Sequence, residues 1–293
     1  MSVHSDSLTA SAADGHRWQV IRCAPAQPAT SLLWLPALGV AARHYLPFAT
    51  ALASAGIAVY LHEWRGNGSS TLRPSRQHDW GFRSLLADDI PASHALMALH
   101  DPQHPHIVGG HSLGGQLACC HAALQPARIA QLWLVASGSP YWRRFPRPMR
   151  YGLPVAYRLL PWLARVQGVL HGRSLRFAGT EARSLIADWA RVGRSNRYRA
   201  AGSAWDLERA LGALTVPITA VTLARDPFGP PAALQTLLRK MPRAPAAVQP
   251  LDDLQLGVRS DHFAWMKAPA AVAAALLGMR NNAVDGSRSS QRD

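Results

Sequence analysis

The chain contains the stretch Val108-Gly109-Gly110-His111-Ser112-Leu113-Gly114-Gly115, in which Ser112 is the centre of a Gly-x-Ser-x-Gly motif. A short apolar run at 105–108 precedes the motif and predicts a strand, and residues 116–124 after it predict a helix. A serine between a strand and a helix occupies a sharp, strained turn, and the flanking glycines leave room where side chains would collide. The pattern predicts a nucleophile elbow, in which Oγ of Ser112 stands clear of the sheet and the N–H of Leu113 points toward the same place.

Length and composition limit the kinds of protein that the chain can form. Its 293 residues suffice for one large α/β domain or for a core domain with an insertion. Residues 1–15 lack the basic and apolar regions of a secretory signal, and no run approaches the ~18 apolar residues of a membrane span. Three cysteines, two of them adjacent, do not make a disulfide framework. We therefore expect a cytoplasmic protein without an integral membrane segment.

The chain carries a formal net charge of +14, which invites an interpretation as a nucleic-acid-binding protein. Lys240 and Lys267 are the only lysines among its 31 basic residues. Such an excess of arginine, together with abundant alanine, proline and glycine, indicates a GC-rich coding bias. No helix-turn-helix, zinc-finger spacing or aromatic RNA-binding motif accompanies the charge. We predict no nucleic-acid partner.

Strand and helix patterns alternate along the chain on both sides of the elbow. Apolar runs predict strands, most of them buried on both faces, at 16–24, 31–35, 57–62, 129–136, 216–223 and 246–251. Helical patterns occupy 45–55, 80–100 with an interruption at Pro91, 231–241 and 268–279. This alternation is typical of an α/β protein with a mostly parallel sheet and helices on both faces.

Residues 140–210 break that alternation and contain several helical pieces. We interpret them as a helical cap inserted into a core formed by 16–139 and 211–280. The polar segments at 1–15 and 281–293 predict disordered tails.

Three motifs give the chain a resemblance to a known family. They are the elbow around Ser112, the turn Leu35-Pro36-Ala37-Leu38-Gly39 and the loop Arg65-Gly66-Asn67-Gly68-Ser69. Over about 16–280 the chain resembles the α/β hydrolases, in particular the serine-aminopeptidase and lysophospholipase-like branch called Hydrolase_4, and 140–210 matches least. The resemblance implies an α/β-hydrolase sheet with a helical cap and the chain order serine, acid, histidine. It implies neither a metal nor an organic cofactor.

A serine hydroxyl becomes a good nucleophile only when a base removes its proton, and an acid must orient that base. The resemblance places the base at His262, between the last predicted strand and the last predicted helix. His171 is the other histidine beyond the helix of the elbow, and its position in the predicted cap suits a surface role better.

The resemblance places the acid at Asp226, which follows the strand at 216–223 and precedes Pro227. Asp261 is a rival acid, although a neighbour of His262 in sequence usually points elsewhere. Asp252 and Asp253 are weaker rivals.

An oxyanion hole needs two converging N–H donors. We predict Leu113 as one donor and, from its position in the turn after strand 31–35, Leu38 as the other. Many relatives carry His-Gly-x-Gly in this turn, and here Pro36 replaces the histidine. Gly39 is expected to let the backbone approach the substrate.

The predicted cap combines aromatic residues with many arginines, and Glu181 and Asp188 are its only acids before Asp206. Apolar and aromatic surface suits an acyl or aryl group. Three arginines near the start of the cap are expected to reach an anionic substrate, such as a carboxylated ester or an acyl-CoA thioester: Arg143, Arg144 and Arg147. The alternative is that these arginines only form a solvated surface.

Together these patterns favour a serine hydrolase that cleaves a small-molecule carboxylic ester, or a thioester, through an acyl-enzyme on Ser112. The alternative is a non-catalytic protein of the same fold that binds a ligand or partner under the cap, because a fold does not guarantee an activity. A C–C hydrolase or a cofactor-free perhydrolase also stays open. An epoxide hydrolase or a dehalogenase is disfavoured, because those enzymes need an aspartate in the place of Ser112.

Overall fold

The computed structural model describes residues 2–172 and 179–289. The strands are β1 Val3–Ser11, β2 Arg17–Pro25, β3 Thr30–Leu35, β4 Ile57–Leu61, β5 His106–His111, β6 Gln131–Val135, β7 Val169–His171, β8 Thr180–Ala182, β9 Ile218–Leu223 and β10 Ala246–Leu251. The helices are α1 Leu46–Ser54, α2 Phe82–Ser84, α3 Ile90–His100, α4 Leu113–Leu124, α5 Met149–Gln167, α6 Arg183–Ser195, α7 Leu207–Ala213, α8 Pro231–Leu238, α9 Asp253–Leu256 and α10 Ala270–Ser289.

Eight strands form one sheet in the order β1-β2-β4-β3-β5-β6-β9-β10. From β4 to β10 all neighbouring strands are parallel, and β1 and β2 extend one edge of the sheet as antiparallel strands. The prediction of a mostly parallel α/β sheet is thus confirmed. Because parallel strands end at the same edge, the loops after β3, β5, β6 and β9 emerge side by side.

Strand β3 shows why the central strands are uninterrupted apolar runs. All six of its residues are buried. Leu33 and Leu35 pack into a core that includes α3, α4 and α7, whereas Leu32 and Trp34 pack into a second core that includes α1 and α10. Successive side chains of a strand point to opposite faces, so a sheet covered on both faces needs apolar residues at every position.

The structure corrects the predicted disordered tail at 1–15. Val3–Ser11 form β1, which pairs with β2 along its whole length, from Val3 opposite Pro25 to Ser11 opposite Arg17. The polar composition was misleading because an exposed edge strand needs few apolar residues, and in β1 only Ala10 is buried. In the other predicted tail, α10 continues to Ser289. Met1 and 290–293 lie outside the described residues.

The region predicted to form a cap contains α5, an antiparallel hairpin of β7 and β8, and α6. The hairpin was not predicted. Helix α5 packs against α6, and the rings of Tyr157 and Trp189 meet edge to face with centroids 4.9 Å apart. Residues 173–178 of the predicted cap lie outside the described residues, and the boundaries at 140 and 210 stay predictions. In the described ranges, no helix has both the length and the apolarity to cross a membrane.

Candidate active site

Ser112 lies between β5 and α4 with φ of 55° and ψ of −117°. A residue other than glycine rarely adopts a positive φ, and such backbone strain persists only where the surrounding structure enforces it. Here the N–H of Ser112 donates to the carbonyl of Val135 at 3.1 Å, and its carbonyl accepts from the N–H of Gln116 at 3.3 Å. The strained turn is therefore anchored to both the neighbouring strand and the helix.

The glycines of the motif allow the backbone segments around Ser112 to approach one another. A Cβ on Gly110 would overlap the backbone of Gly114, and a Cβ on Gly114 would overlap the carbonyl of Leu35 at the end of β3. These positions therefore need glycine because the backbone segments approach closely, as the sequence analysis expected.

The loops after β9 and after α9 bring Asp226 and His262 together. Oδ2 of Asp226 lies 2.7 Å from Nδ1 of His262, and the two residues are 5% and 4% exposed. Oδ1 of Asp226 accepts the N–H of Phe228 at 2.8 Å. The carboxylate thus engages one nitrogen of the imidazole and leaves Nε2 for another partner.

Neighbouring residues tie these two loops to each other. The N–H of Arg225 donates to the carbonyl of Ser260 at 2.9 Å. Asp253 accepts the N–H of Ser260 at 2.8 Å, and its other oxygen lies 3.1 Å from Nε of Arg225. The placement of Asp226 against His262 therefore does not depend on their own hydrogen bond alone.

The rival acids have other partners. Asp261 accepts the N–H groups of Phe263 at 3.0 Å and Ala264 at 2.8 Å, within its own loop. Asp252 caps the N-terminus of α9, and Asp253 joins the two loops. Among the described residues, Asp226 is the only carboxylate within hydrogen-bond distance of the His262 ring. His171 lies apart from the site, exposed in the β7–β8 hairpin.

The turn after β3 is held by a side chain that the sequence analysis missed. The N–H of Ala37 donates to the hydroxyl of Tyr45 at 2.9 Å, and that hydroxyl lies 2.8 Å from Nδ1 of His111. Burial lowers the pKa of His111 well below its usual range and raises the pKa of Tyr45. Both groups are therefore neutral, and the hydroxyl that accepts from Ala37 donates to His111. No local pattern links residues 45 and 111, and the position of His111 next to Ser112 was the one available signal.

The two predicted oxyanion donors lie on either side of this arrangement. With the N–H of Ala37 occupied, the next N–H in the turn is that of Leu38. Neither this group nor the N–H of Leu113 has a protein acceptor within the part of the chain that the structure describes. Both residues line the same cavity as Ser112, so both amides are available to a bound ligand.

That cavity has a volume of about 400 Å³, and His262 and Ser112 lie on its wall. Most of the remaining wall is apolar, and much of it comes from α5. Besides Leu38 and Leu113, the larger apolar residues are Phe145, Met149, Leu153, Tyr157, Leu160, Trp189, Phe228 and Phe263. Phe228 and Phe263 follow Asp226 and His262 closely in sequence, a signal that could have identified them. The cavity suits an apolar group next to the hydroxyl of Ser112.

The structure does not bring the other predicted substrate contacts to this wall. Arg143, Arg144 and Arg147 are exposed. The guanidinium of Arg143 lies 5.0 Å from the ring of Trp142, and that of Arg147 lies 6.0 Å from the ring of Tyr151. Gly39 lines a separate small gap of about 10 Å³. Recognition of an anionic substrate by the three arginines stays a prediction without a contact in its support.

Comparison with known proteins adds a family match. The family described as serine aminopeptidase S33, or Hydrolase_4, matches residues 26–254, which include Ser112 and Asp226. A search of curated protein sequences finds no match.

Solved structures of similar fold cover nearly the whole chain. A thermophilic esterase from Thermogutta terrifontis, with malate bound, is 16% identical with a TM-score of 0.60, over 95% of this chain and 98% of that one. A thioesterase domain from the curacin biosynthetic pathway is 17% identical with a TM-score of 0.56, over 95% and 100%. A carboxylesterase from the thaumarchaeon Nitrososphaera gargenis is 15% identical with a TM-score of 0.62, over 96% and 100%. At such identities the likeness shows the fold alone.

Proposed function

Because the chain belongs to the Hydrolase_4 family of α/β hydrolases, described as serine aminopeptidase S33, we propose that it cleaves carboxylic esters through an acyl-enzyme on Ser112. One observation carries the proposal. The strained elbow that presents Ser112 and the imidazole of His262, paired with Asp226 at 2.7 Å, lie on the wall of one apolar cavity.

In the proposed reaction, Oγ of Ser112 attacks the carbonyl carbon of the ester while Nε2 of His262 takes its proton. Asp226 holds the ring by Nδ1 and stabilises the positive charge that develops on it. The N–H groups of Leu38 and Leu113 bind the oxygen of the tetrahedral intermediate. His262 then gives the proton to the departing alkoxide. A water molecule, activated by the same imidazole, hydrolyses the acyl-enzyme and frees Ser112.

The composition of the cavity favours an ester with an apolar acyl group over a peptide with a free amino terminus. A buried ammonium group needs a carboxylate partner, and no aspartate or glutamate is among the described residues that line the cavity. A thioester reacts by the same steps, so it is the second substrate class to test. The structural neighbours, an esterase, a thioesterase domain and a carboxylesterase, agree with both classes.

The test is hydrolysis of p-nitrophenyl esters of graded acyl length beside a series of acyl-CoAs, with wild-type protein and Ser112→Ala. We expect kcat to fall about 10³-fold or more in the variant, because nucleophile and base act as a unit. A fluorophosphonate probe should label the wild type and spare the variant. Ser195→Ala, at an exposed serine at the end of α6, is the matched control and should keep both properties.

Two results would contradict the proposal. Retention by Ser112→Ala of more than about a tenth of the wild-type kcat, a barrier change below about 1.4 kcal/mol, would remove Ser112 from the mechanism. A folded wild-type protein that neither reacts with the probe nor turns over any ester or thioester would favour the non-catalytic alternative.

A further inference from the structure

Helix α5 has apolar residues on two opposite sides. One side faces the cavity with Met149, Leu153, Tyr157 and Leu160. The other carries five large apolar side chains that are between 46% and 63% exposed: Tyr151, Val155, Leu159, Trp162 and Val166. At about 100° per residue these five lie within an arc of about 80°, so they form one continuous stripe along the helix. We call them the outer stripe.

The outer stripe is unusual for this molecule. It supplies half of the ten exposed large apolar residues in the described chain, and most of the others lie on separate elements. Isolated apolar residues are normal on a protein surface, whereas a contiguous exposed apolar patch marks a surface that binds something.

The charged residues of the chain on and next to the outer stripe in sequence are all positive. The sequence contains no aspartate or glutamate between Asp101 and Glu181. Arg158 and Arg165 are exposed on α5, adjoining one side of the stripe. Six arginines lie within 143–165, and in the described chain none of them forms an ion pair with a carboxylate. An anion from outside the molecule can therefore neutralise them.

The end of the stripe nearest the start of α5 pairs an aromatic ring with two of these cations. The guanidinium of Arg150 lies 5.0 Å from the ring of Tyr151, and that of Arg147 lies 6.0 Å from it. Tyr151 is itself 56% exposed. A ring that is apolar in its body and polar at its tip, with cations beside it, matches the boundary between acyl chains and charged headgroups.

We propose that the outer stripe and its arginines dock α5 on the surface of an anionic lipid membrane. An apolar face with tryptophan and leucine, bordered by arginines, is the pattern of a helix that lies in the plane of the membrane interface. A second copy of the chain fits less well, because two such stripes packed together would bring arginine against arginine with no carboxylate between them. Nucleic acid fits less well, because phosphate contacts leave five apolar side chains without a role.

Docking of this kind would also place the cavity beside the lipid, because α5 forms part of the cavity wall. This consequence alone rests on the proposed ester hydrolysis. Membrane binding itself does not require an active Ser112.

The experiment is flotation of the full-length protein with phosphatidylcholine vesicles that contain phosphatidylglycerol, beside vesicles of phosphatidylcholine alone. We expect binding to the mixed vesicles, weaker binding to the neutral ones, and a fall with added salt. The double variant Val155→Ser/Trp162→Ser should lower the binding constant about tenfold or more, through lost apolar burial. Arg158→Gln/Arg165→Gln should lower it about tenfold or more and reduce its salt dependence.

Matched controls come from exposed residues elsewhere. Leu99 and Leu254 are 77% and 90% exposed, and Leu99→Ser/Leu254→Ser should bind as the wild type does. Arg209→Gln/Arg243→Gln, at exposed arginines outside 143–165, controls for the loss of two charges. The blue shift of tryptophan emission on vesicles should disappear in Trp162→Phe.

Several results would overturn the proposal. Equal binding to both kinds of vesicle, or no binding to either, would refute docking on an anionic membrane. Outer-stripe variants that bind like the wild type would show that α5 is not the docking element. A dimer in sedimentation velocity that Val155→Ser/Trp162→Ser abolishes would assign the stripe to self-association instead. The wild type and this variant should hydrolyse a soluble ester equally. Loss of vesicle binding by this variant with retained hydrolysis therefore supports docking through the outer stripe. A wild type that binds vesicles without hydrolysing any ester refutes only the proposed function.

Discussion

Replacing Tyr45 by phenylalanine removes the hydroxyl that joins the turn after β3 to the elbow. In the wild type this hydroxyl accepts the N–H of Ala37 at 2.9 Å and lies 2.8 Å from Nδ1 of His111. All three residues are buried. The change deletes one oxygen atom and leaves the ring in place, so it disturbs the packing little.

The expected loss of stability follows from two buried groups that the variant leaves without a partner, the N–H of Ala37 and Nδ1 of His111. A buried donor or acceptor without a partner costs about 1–3 kcal/mol. Tyr45→Phe creates two of them, so the free energy of unfolding should fall by about 2–6 kcal/mol. Loss of an oxyanion-hole donor costs about 10²–10³ in kcat. In this variant the proposed donor, the N–H of Leu38, would be displaced rather than removed, so we expect kcat to fall about tenfold to a hundredfold.

Urea unfolding measures the first effect, and steady-state hydrolysis of a p-nitrophenyl ester measures the second. Tyr60→Phe is the matched control, because the Tyr60 hydroxyl donates to Asp101 at 2.7 Å and accepts from Arg22 at 3.0 Å, away from the cavity. It should destabilise the protein while leaving kcat unchanged. If Tyr45→Phe lost stability but kept the wild-type kcat, the turn would not depend on this hydroxyl for its catalytic geometry. An unchanged stability would refute the hydrogen-bond argument itself.

Two further outcomes test the acid and a buried glutamate. Asp226→Asn should lower kcat about 10⁴-fold, because an amide cannot stabilise the charged His262, whereas Asp261→Asn should stay near wild type; the reverse pattern would exchange their roles. Burial is the main cause that raises the pKa of Glu63 from 4.5 to about 7, against opposing backbone N–H donors such as that of Ala42. When the pKa of a carboxyl is higher in the folded state than in the unfolded state, the free energy of unfolding falls as pH rises from the unfolded pKa to the folded pKa. Glu63→Gln should therefore make Tm depend less on pH between about 4.5 and 7, and identical pH profiles of Tm by calorimetry would contradict this.

The parts of the fold that the sequence predicted are those encoded by local patterns. The alternation of apolar runs predicted the central strands, and β10 has the predicted bounds, Ala246–Leu251. The strained turn at Ser112 was predictable because its glycines and its flanking strand and helix are adjacent in sequence. The side-chain pair of Asp226 and His262 was inferred only through a family resemblance, since nothing local joins two loops 36 residues apart.

Contacts between distant residues were beyond the sequence. The hydrogen bond from Tyr45 to His111 spans 66 residues, and nothing in the sequence around either residue indicates the other as its partner. The arginines of the predicted cap were expected near the substrate on the basis of their charge. The charge of a residue does not show which way its side chain points, so this expectation had no geometric basis. The side of α5 that faces the cavity became known only once the helix was placed. In the sequence analysis the apolar residues of the cap were assigned to substrate binding, and the two sides of this helix were not separated.

Strand β1 has a consequence for how the chain can be shortened. Its nine residues satisfy the outer edge of β2 along the whole length of the pairing. A chain that begins at His16 would expose the N–H and C=O groups of β2 as an unpaired edge, the kind of template on which sheets of separate molecules join. Strand β1 is itself an unpaired edge, but its residues are mostly exposed and polar, whereas those of β2 are mostly buried or half-buried. The N-terminal strand therefore gives the sheet a polar edge in place of the more apolar edge that β2 would present.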